Sequence, residues 1–176
     1  KSYHGVGVQL LNDEIGLFSH KRFGLQYAYR HKLFGGMIGV GVQFGMISET
    51  FDGSKVDMED STDPAIPTSE VTGSGMDLGV GLYYTHGSWY AGLSMLHATS
   101  PKIEMGEKQI FNIDKTYYFT CGHNIKLKNP FYSIEPSLLA RTDGTAYRVD
   151  VTGRVKYVND KKMMYGGLSY SPTNSV

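Results

Sequence analysis

The sequence alternates between apolar residues and polar residues or glycine over several long stretches. In residues 37–46 (MIGVGVQFGM), Val40, Val42 and Phe44 alternate with Gly41 and Gln43. Residues 23–30, 76–84 and 147–157 show the same alternation. Successive side chains of a strand point to opposite faces, so a period of two indicates a strand whose two faces meet different surroundings. The pattern therefore predicts long β-strands with one apolar face and one polar face.

We predict nine strands from this alternation, at residues 3–11, 20–32, 37–49, 74–86, 88–99, 114–128, 131–143, 145–158 and 161–171. Most are longer than the five or six residues of an ordinary strand and reach the 9–11 that a tilted membrane-spanning strand needs. Pro136 lies within the seventh strand, and because proline has no N–H to donate we expect a bulge or kink there.

The expected fold class is all-β, an antiparallel up-and-down transmembrane β-barrel of the outer-membrane type. We expect residues 1–176 to form a single barrel domain. Bacterial barrels of this type have an even number of strands, so nine strands predict that the chain is part of a larger barrel. A barrel of nine strands alone would leave unpaired edges in lipid.

The predicted connections alternate between long and short. We expect a medium loop at 12–19 and long loops at 50–73 and 100–113, after the first, third and fifth strands, and short turns at 33–36, 86–87 and 129–130; the short connection at 143–144 is the exception to the alternation. Outer-membrane barrels have longer extracellular loops and short periplasmic turns. Tyr and Phe gather near the strand ends, as in the aromatic girdles of such barrels. The sequence therefore predicts a bacterial outer-membrane location.

Composition excludes several classes of function. Lys plus Arg and Asp plus Glu each number 17, so the zero net charge argues against a nucleic-acid partner. Cys121 is the only cysteine, which excludes an internal disulfide. We predict no enzymatic activity and no cofactor, since the six histidines lack the spacing of metal ligands and a Ser94–His97 hydrolase pair is disfavoured. The acidic residues at 57–63 are better explained as a solvated loop than as a calcium site.

The alternation assigns residues to the two faces of the predicted barrel. We expect the following apolar residues to contact outer-membrane lipid: Val40, Val42, Leu78, Val80, Leu82, Val149 and Val151. We expect a crowded polar lumen to contain Gln43, Asp77, Arg148, Asp150 and Arg154.

The first predicted loop combines turn formers with large apolar residues. Its candidate site residues are Asn12, Asp13, Ile15, Gly16 and Phe18. Large apolar residues in a solvated loop beyond the membrane rim are unusual unless they pack against the protein or bind a partner. Two interpretations stay open: the loop folds inward and plugs the barrel, or it presents Ile15 and Phe18 to a protein partner as apolar anchors.

Residues 5–18 (GVGVQLLNDEIGLF) and 25–30 (LQYAYR) resemble the PorP/SprF family, outer-membrane proteins of the type IX secretion system of Bacteroidetes. Shorter matches follow in the same order at 63–65, 79–84, 90–94, 136–139, 149–151 and 167–170. The resemblance implies a non-enzymatic barrel that assists the export or surface attachment of adhesins or other proteins with a type B C-terminal domain. Its implied partners are other secretion-system components and a secreted adhesin-type substrate, and some members are implicated in gliding motility.

Two alternatives to a secretion role remain open. One is an outer-membrane channel or transporter for small solutes. The other is a soluble, lipocalin-like barrel that binds an apolar ligand, since such barrels also show alternating strands. In the soluble case the apolar face would be buried in a protein core.

Overall fold

The computed structural model describes residues 2–53, 70–105, 109–160 and 162–172, which form mostly long strands. Among these residues, no helix has both the length and the apolar character that a membrane span requires. The strands are β1 (Ser2–Ile15), β2 (Phe18–Leu33), β3 (Gly36–Asp52), β4 (Glu70–His86), β5 (Trp89–Leu96), β6 (Lys102–Met105), β7 (Gln109–Asn112), β8 (Thr116–His123), β9 (Ile125–Lys126), β10 (Tyr132–Thr142), β11 (Tyr147–Asn159) and β12 (Lys162–Tyr170).

One large antiparallel sheet follows the chain in the order β1-β2-β3-β4-β5-β8-β10-β11-β12, and β9 pairs with β10. The nine predicted strands correspond to this path, with the sixth divided into β8 and β9, so the antiparallel all-β fold is confirmed. Between the described residues of β1 and β12 no pairing closes the sheet. Because neighbours alternate in direction, the first and ninth strands run the same way.

The disturbance predicted at Pro136 is present as a break between β8 and β9. Strand β10 pairs with β8 from Ser137 onward and with β9 up to Ile134, which leaves Glu135 and Pro136 between the two ladders. Opposite them, the backbone N–H of Asn124 donates to the carbonyl of Ser88 at 2.8 Å, while its side-chain amide donates to the carboxylate of Glu135 in β10 at 2.9 Å. A proline cannot donate to a ladder, so the neighbouring strand is interrupted at that point.

The predicted first loop is wrong, because its residues belong to strands. Asn12 and Asp13 pair with Lys21 and His20 in the β1–β2 ladder, and the pairing continues to Ile15 and Phe18. Only Gly16 and Leu17 form the turn, in which Gly16 has a φ of 62°. Glycine adopts this left-handed conformation at little cost, so two residues are enough to reverse the chain.

The long connection between β5 and β8 contains structure that the alternation did not predict. Strands β6 and β7 pair antiparallel in a separate two-stranded sheet, with Lys102 opposite Asn112. We call residues 97–105 and 109–113 the inner hairpin segment. The turns at 16–17 and 143–146 lie at one end of the sheet, together with the paired ends of β3 and β4 and the start of the connection after β5, and we call this end the long-loop rim. The turns at 34–35, 87–88 and 127–131 lie at the other end, with the end of β11, and form the short-turn rim.

Glycine and tyrosine interlock at two places on one face of the sheet. Tyr83 lies opposite Gly92 in the β4–β5 ladder, and a β-carbon on Gly92 would lie 2.8 Å from its ring. Tyr90 lies opposite Gly122 in the next ladder and would collide with a β-carbon there. The rings of Tyr83 and Tyr90 also stack, with centroids 5.7 Å apart. Each ring therefore covers a glycine that has no side chain of its own.

Substituting Gly45 with Ala should destabilise the sheet, because the new β-carbon would collide with the carbonyl oxygen of Phe23 in the neighbouring strand. Overpacking of this kind costs about 1–3 kcal/mol. Gly41→Ala is the matched control on the same strand and face, since its nearest neighbour would be 3.8 Å away. Thermal unfolding followed by circular dichroism should show a lower Tm for Gly45→Ala alone. Equal melting of the two variants would contradict this packing.

Candidate functional site

One face of the large sheet is apolar and exposed across all its strands. Cross-strand pairs keep these residues on the same side; for example, Val42 lies between Tyr27 of β2 and Val80 of β4. We call this the apolar face. Of the seven residues predicted to contact lipid, five are exposed on it, and Leu78 and Val149 are half-buried; the exposed ones are Val40, Val42, Val80, Leu82 and Val151. Their contact with lipid stays a prediction.

The opposite face carries glycine, glutamine and charged residues, and we call it the polar face. Three glutamines on consecutive strands form a hydrogen-bonded cluster there. The amide nitrogen of Gln26 donates to the side-chain oxygen of Gln43 at 3.0 Å, and both reach the oxygen of Gln9 at 3.4 Å. Gly7, Gly24 and Gly79 pair with glutamines of this cluster and leave room for them. The glutamines thereby satisfy one another without a charged partner.

Among the described residues, Asp77 is the most deeply buried charged residue of the polar face, with 2% of its surface exposed. Its carboxylate oxygen Oδ1 lies 3.0 Å from the imidazole Nδ1 of His97. His97 follows directly after β5 and has a φ of 56°, a left-handed conformation that is uncommon for a residue other than glycine. A buried carboxylate is costly unless it is paired, so this contact fixes the start of the inner hairpin segment.

The inner hairpin segment lies on the polar face near the long-loop rim. The amide of Ala98 donates to the carbonyl of Leu78 at 2.8 Å, and the Thr99 hydroxyl donates to the carbonyl of Met76 at 2.9 Å. Ile103 is fully buried and packs with Ile47. Phe51, Val71 and Ile113 surround this pair. The segment therefore covers part of the face that was predicted to line the lumen.

Other charges of the polar face are paired along or between neighbouring strands. Arg148 donates from Nε to Oδ1 of Asp150 at 2.9 Å within β11. Arg154 and Lys156 approach the two carboxylate oxygens of Glu135 at 3.8 and 3.9 Å. The five residues predicted to face the lumen thus lie on one face, but in three separate groups: Gln43 in the glutamine cluster, Asp77 at the inner hairpin segment, and Arg148, Asp150 and Arg154 on β11.

The tip of the β1–β2 hairpin presents two apolar side chains at the long-loop rim. Ile15 and Phe18 are directly opposite one another, with 62% and 43% of their surfaces exposed. The ring of Phe18 also contacts that of Phe51, with centroids 5.1 Å apart. The carbonyl of Leu17 accepts a hydrogen bond from the amide of Asp52. These contacts hold the tip against β3, and Asn12, Asp13 and Gly16 around it are exposed.

A second hairpin at the long-loop rim is closed by a carboxylate. The side chain of Asp143 accepts hydrogen bonds from the amides of Ala146 and Thr145 at 2.8 and 2.9 Å. These backbone donors lower the pKa of Asp143, because they favour its charged form. The contribution of this turn to stability is therefore lost as the pH falls through the lowered pKa.

The short-turn rim carries aromatic rings stacked with histidines. Trp89 stacks on His123 with centroids 4.0 Å apart, and Tyr29 lies 5.2 Å from the ring of His4. Tyr84 stacks on His86 at the same rim. Rings with an apolar body and a polar edge are typical of the boundary between hydrocarbon and headgroups. Tyr90, also near this rim, instead covers Gly122 on the polar face.

The described residues contain no group of three or more His, Cys, Asp or Glu that could hold a metal ion. The acidic residues of the weighed calcium loop, 57–63, lie outside the described residues. The imidazole of His97, considered in a pair with Ser94, is directed at the carboxylate of Asp77 instead.

Sequence reasoning identified Asp77 but missed its partner His97. The short turn at Gly87 and Ser88 pairs His86 with Trp89, and the same register continued along β4 places Ala98 opposite Asp77. The neighbouring residue, His97, could therefore have been expected close to Asp77. The inner hairpin segment had no comparable signal, since β6 and β7 are four residues each.

Comparison with known proteins identifies a family for the whole chain. The model of the family described as type IX secretion system membrane protein PorP/SprF matches residues 1–176. No curated protein matches the chain.

Substituting Val80 with Arg should destabilise the protein in lipid vesicles by about 2–4 kcal/mol if this residue lies near the bilayer midplane. Val80 is exposed on the apolar face, so the same change in water would be nearly neutral. Gly79→Arg is the comparison on the polar face, where a β-carbon would already lie 3.1 Å from Leu96. Gly79→Arg should lower the free energy of unfolding in detergent as well as in lipid, because its side chain crowds the polar face. Denaturant titrations in vesicles and detergent measure both, and a lipid-independent effect of Val80→Arg would argue against membrane contact.

Proposed function

The chain belongs to the PorP/SprF family of type IX secretion system membrane proteins, and we propose that it acts as a non-enzymatic outer-membrane barrel in that system. In this role it assists the export or surface attachment of adhesins or other secreted proteins with a type B C-terminal domain. The match of the family model to residues 1–176 is the observation that carries the proposal. Its partners are outer-membrane lipid, other secretion-system components and the secreted substrate, and gliding motility is one process that it would serve.

The chemistry of the two faces supports the membrane part of this proposal. Leu25, Phe44 and Leu93 lie on the apolar face and are exposed, as are most of their neighbours on that side. Exposed apolar surface of this extent requires a covering partner, and hydrocarbon is the partner that fits a continuous face with aromatic rings near its ends. A soluble barrel would bury this face in a protein core, so the arrangement disfavours the lipocalin-like alternative.

We further propose that residues 1–176 form one domain within a larger, even-numbered barrel. In an antiparallel barrel every strand has two neighbours of opposite direction. Strands β1 and β12 run in the same direction, so they cannot close the sheet on each other in an antiparallel way. An odd number of additional strands between them satisfies the ladder at both edges. The polar face then lines the lumen, and the connections of the long-loop rim face the outside.

The tip of the β1–β2 hairpin is the partner site that we propose. The pairing of β1 with β2 as far as Ile15 and Phe18 holds the tip in the wall of the sheet, which favours partner anchoring over an inward plug. Ile15 and Phe18 form an exposed apolar pair there, within a surface that also contains Asn12, Asp13 and Glu14. An apolar anchor with a polar surround is the usual composition of a protein contact site.

A small-solute channel is the second candidate, and the polar face favours it because it offers uncharged hydrogen-bonding groups such as those of the glutamine cluster. Ion conductance in planar bilayers separates the two candidates. A secretion partner with a covered lumen should conduct little at rest, whereas a dedicated channel should conduct freely.

Replacing both Ile15 and Phe18 with Ser should reduce co-purification of secretion-system components from detergent-solubilised outer membranes. Loss of a central apolar anchor typically weakens a protein interface by 2 kcal/mol or more, which corresponds to roughly a thirtyfold loss of affinity. Glu14→Ser is the control: it lies in the polar surround of the same tip, where contacts contribute little binding energy, so co-purification should change far less than in the double variant. Unchanged co-purification in the double variant would exclude the tip as a partner site. Recovery of the wild-type protein in the soluble fraction would contradict the membrane role itself.

A further inference from the structure

We propose that the inner hairpin segment, residues 97–105 and 109–113, is a detachable gate over the polar face, and that the Asp77–His97 pair is its latch. The proposal rests on the proposed function in one respect only, which is that the polar face lines a lumen. It assigns to Asp77 and His97 a role that the family match does not supply.

The seat of the gate is built from small residues of β3 and β4. Pro101 lies over Gly75, so closely that a β-carbon on Gly75 would be 2.9 Å from the β-carbon of Pro101. Ile103 packs beside it against Ile47, and both side chains are buried. Gly79 makes room for Leu96 in the same way. A larger side chain at Gly75 would push the segment away from the wall, and one at Gly79 would push against the last residue of β5, so the wall is shaped to receive the segment.

The latch lies at the point where the segment leaves the wall. Strand β5 ends at Leu96, and His97 turns the chain onto the polar face with a left-handed backbone. Ser100 repeats this conformation with a φ of 45°. The contact between His97 and the carboxylate of Asp77 compensates for the strain of this bend. Beyond it, two further hydrogen bonds join the segment to β4, from Ala98 and Thr99.

The pairing of β6 and β7 makes the segment separable from the wall. Their ladder bonds run between the two short strands, in a sheet that is distinct from the large one. A movement of the hairpin would therefore leave the ladders β4–β5 and β5–β8 intact. The groups that it would uncover are Gly75, Asp77 and Ile47, together with the described part of the polar face below them. Among the described residues, such a movement would break the backbone hydrogen bond from Ala98 to Leu78 and the side-chain bond from Thr99 to Met76.

Thiol labelling of a buried position measures the opening directly. In a Cys121→Ala background, Ile103→Cys gives a single thiol at a site that is 0% exposed when the segment is seated. A hydrophilic maleimide should react slowly with this protein in detergent and quickly after denaturation. Adding Asp77→Ala removes the latch and should accelerate labelling roughly tenfold, equivalent to about 1.4 kcal/mol. Asp150→Ala is the matched control, since it removes another carboxylate of the polar face, which pairs with Arg148 on β11.

Equal labelling rates in the Asp77→Ala and Asp150→Ala proteins would overturn the latch. If Ile103→Cys in the folded protein reacts as fast as in the denatured protein, the segment is not packed against β3 and β4, and the proposal is wrong. Neither measurement depends on membrane insertion or on secretion, so failure of the gate and failure of the proposed function are distinguishable.

A cross-link tests whether the segment controls passage. Ile47→Cys with Ile103→Cys, again with Cys121→Ala, places two thiols at the buried contact between wall and segment without adding a side chain at a glycine of the seat. In planar bilayers the oxidised protein should conduct less than the reduced protein, and adding Asp77→Ala should raise conductance only after reduction. Equal conductance of the oxidised and reduced forms would overturn the gate.

Discussion

The whole arrangement depends on the requirement that backbone N–H and C=O groups be paired wherever water is absent. Sheet ladders meet this requirement between strands, and they leave each side chain free to point to one face or the other. The sequence uses that freedom consistently. Leu25, Phe44 and Leu78 pair across three strands on one side, while Gln26, Gln43 and Gly79 pair on the other. The chemical difference between the faces follows from the ladder register, and the register is continuous through nine strands.

Most of this architecture could be predicted from the sequence, because period-two alternation is a property of the strand itself. The number of wall strands and their faces follow from it, and the disturbance at Pro136 follows from the missing N–H of proline. The predictions were wrong or incomplete where strand pairing or strand length, and not alternation, determines the structure. Asn12 and Asp13 have the composition of a turn, yet their strand continues because the partner strand supplies opposite residues as far as Phe18. Strands of four residues, such as β6 and β7, are too short to show a period at all.

The face on which the candidate site residues lie could be predicted for those that belong to strands of the large sheet. Gln43, Asp77, Arg148, Asp150 and Arg154 share the polar face because each lies at an alternate position of its strand. Which of them interact was not predictable from alternation, since Asp77 finds its partner in a segment that leaves the sheet. Arg148 and Asp150 are two residues apart on one strand, and their pairing is the one contact that the same-face rule makes available locally. Long-range contacts such as Asp77–His97 depend on the path of a connection, and connections carry little periodic information.

The interlocked glycines and tyrosines have a consequence for how the sheet finds its alignment. Alternation alone is degenerate: sliding one strand by two residues returns every side chain to its proper face, so apolar patterning cannot distinguish the native alignment from its even-numbered neighbours. Tyr83 on Gly92 and Tyr90 on Gly122 remove that degeneracy, because a two-residue slip would bring each ring against a residue that has a β-carbon. The two rings act on consecutive ladders and touch one another. A wrong register in the β4–β5 ladder would therefore also disturb the packing of the β5–β8 ladder. The two Tyr–Gly pairs thus select the native register of both ladders together.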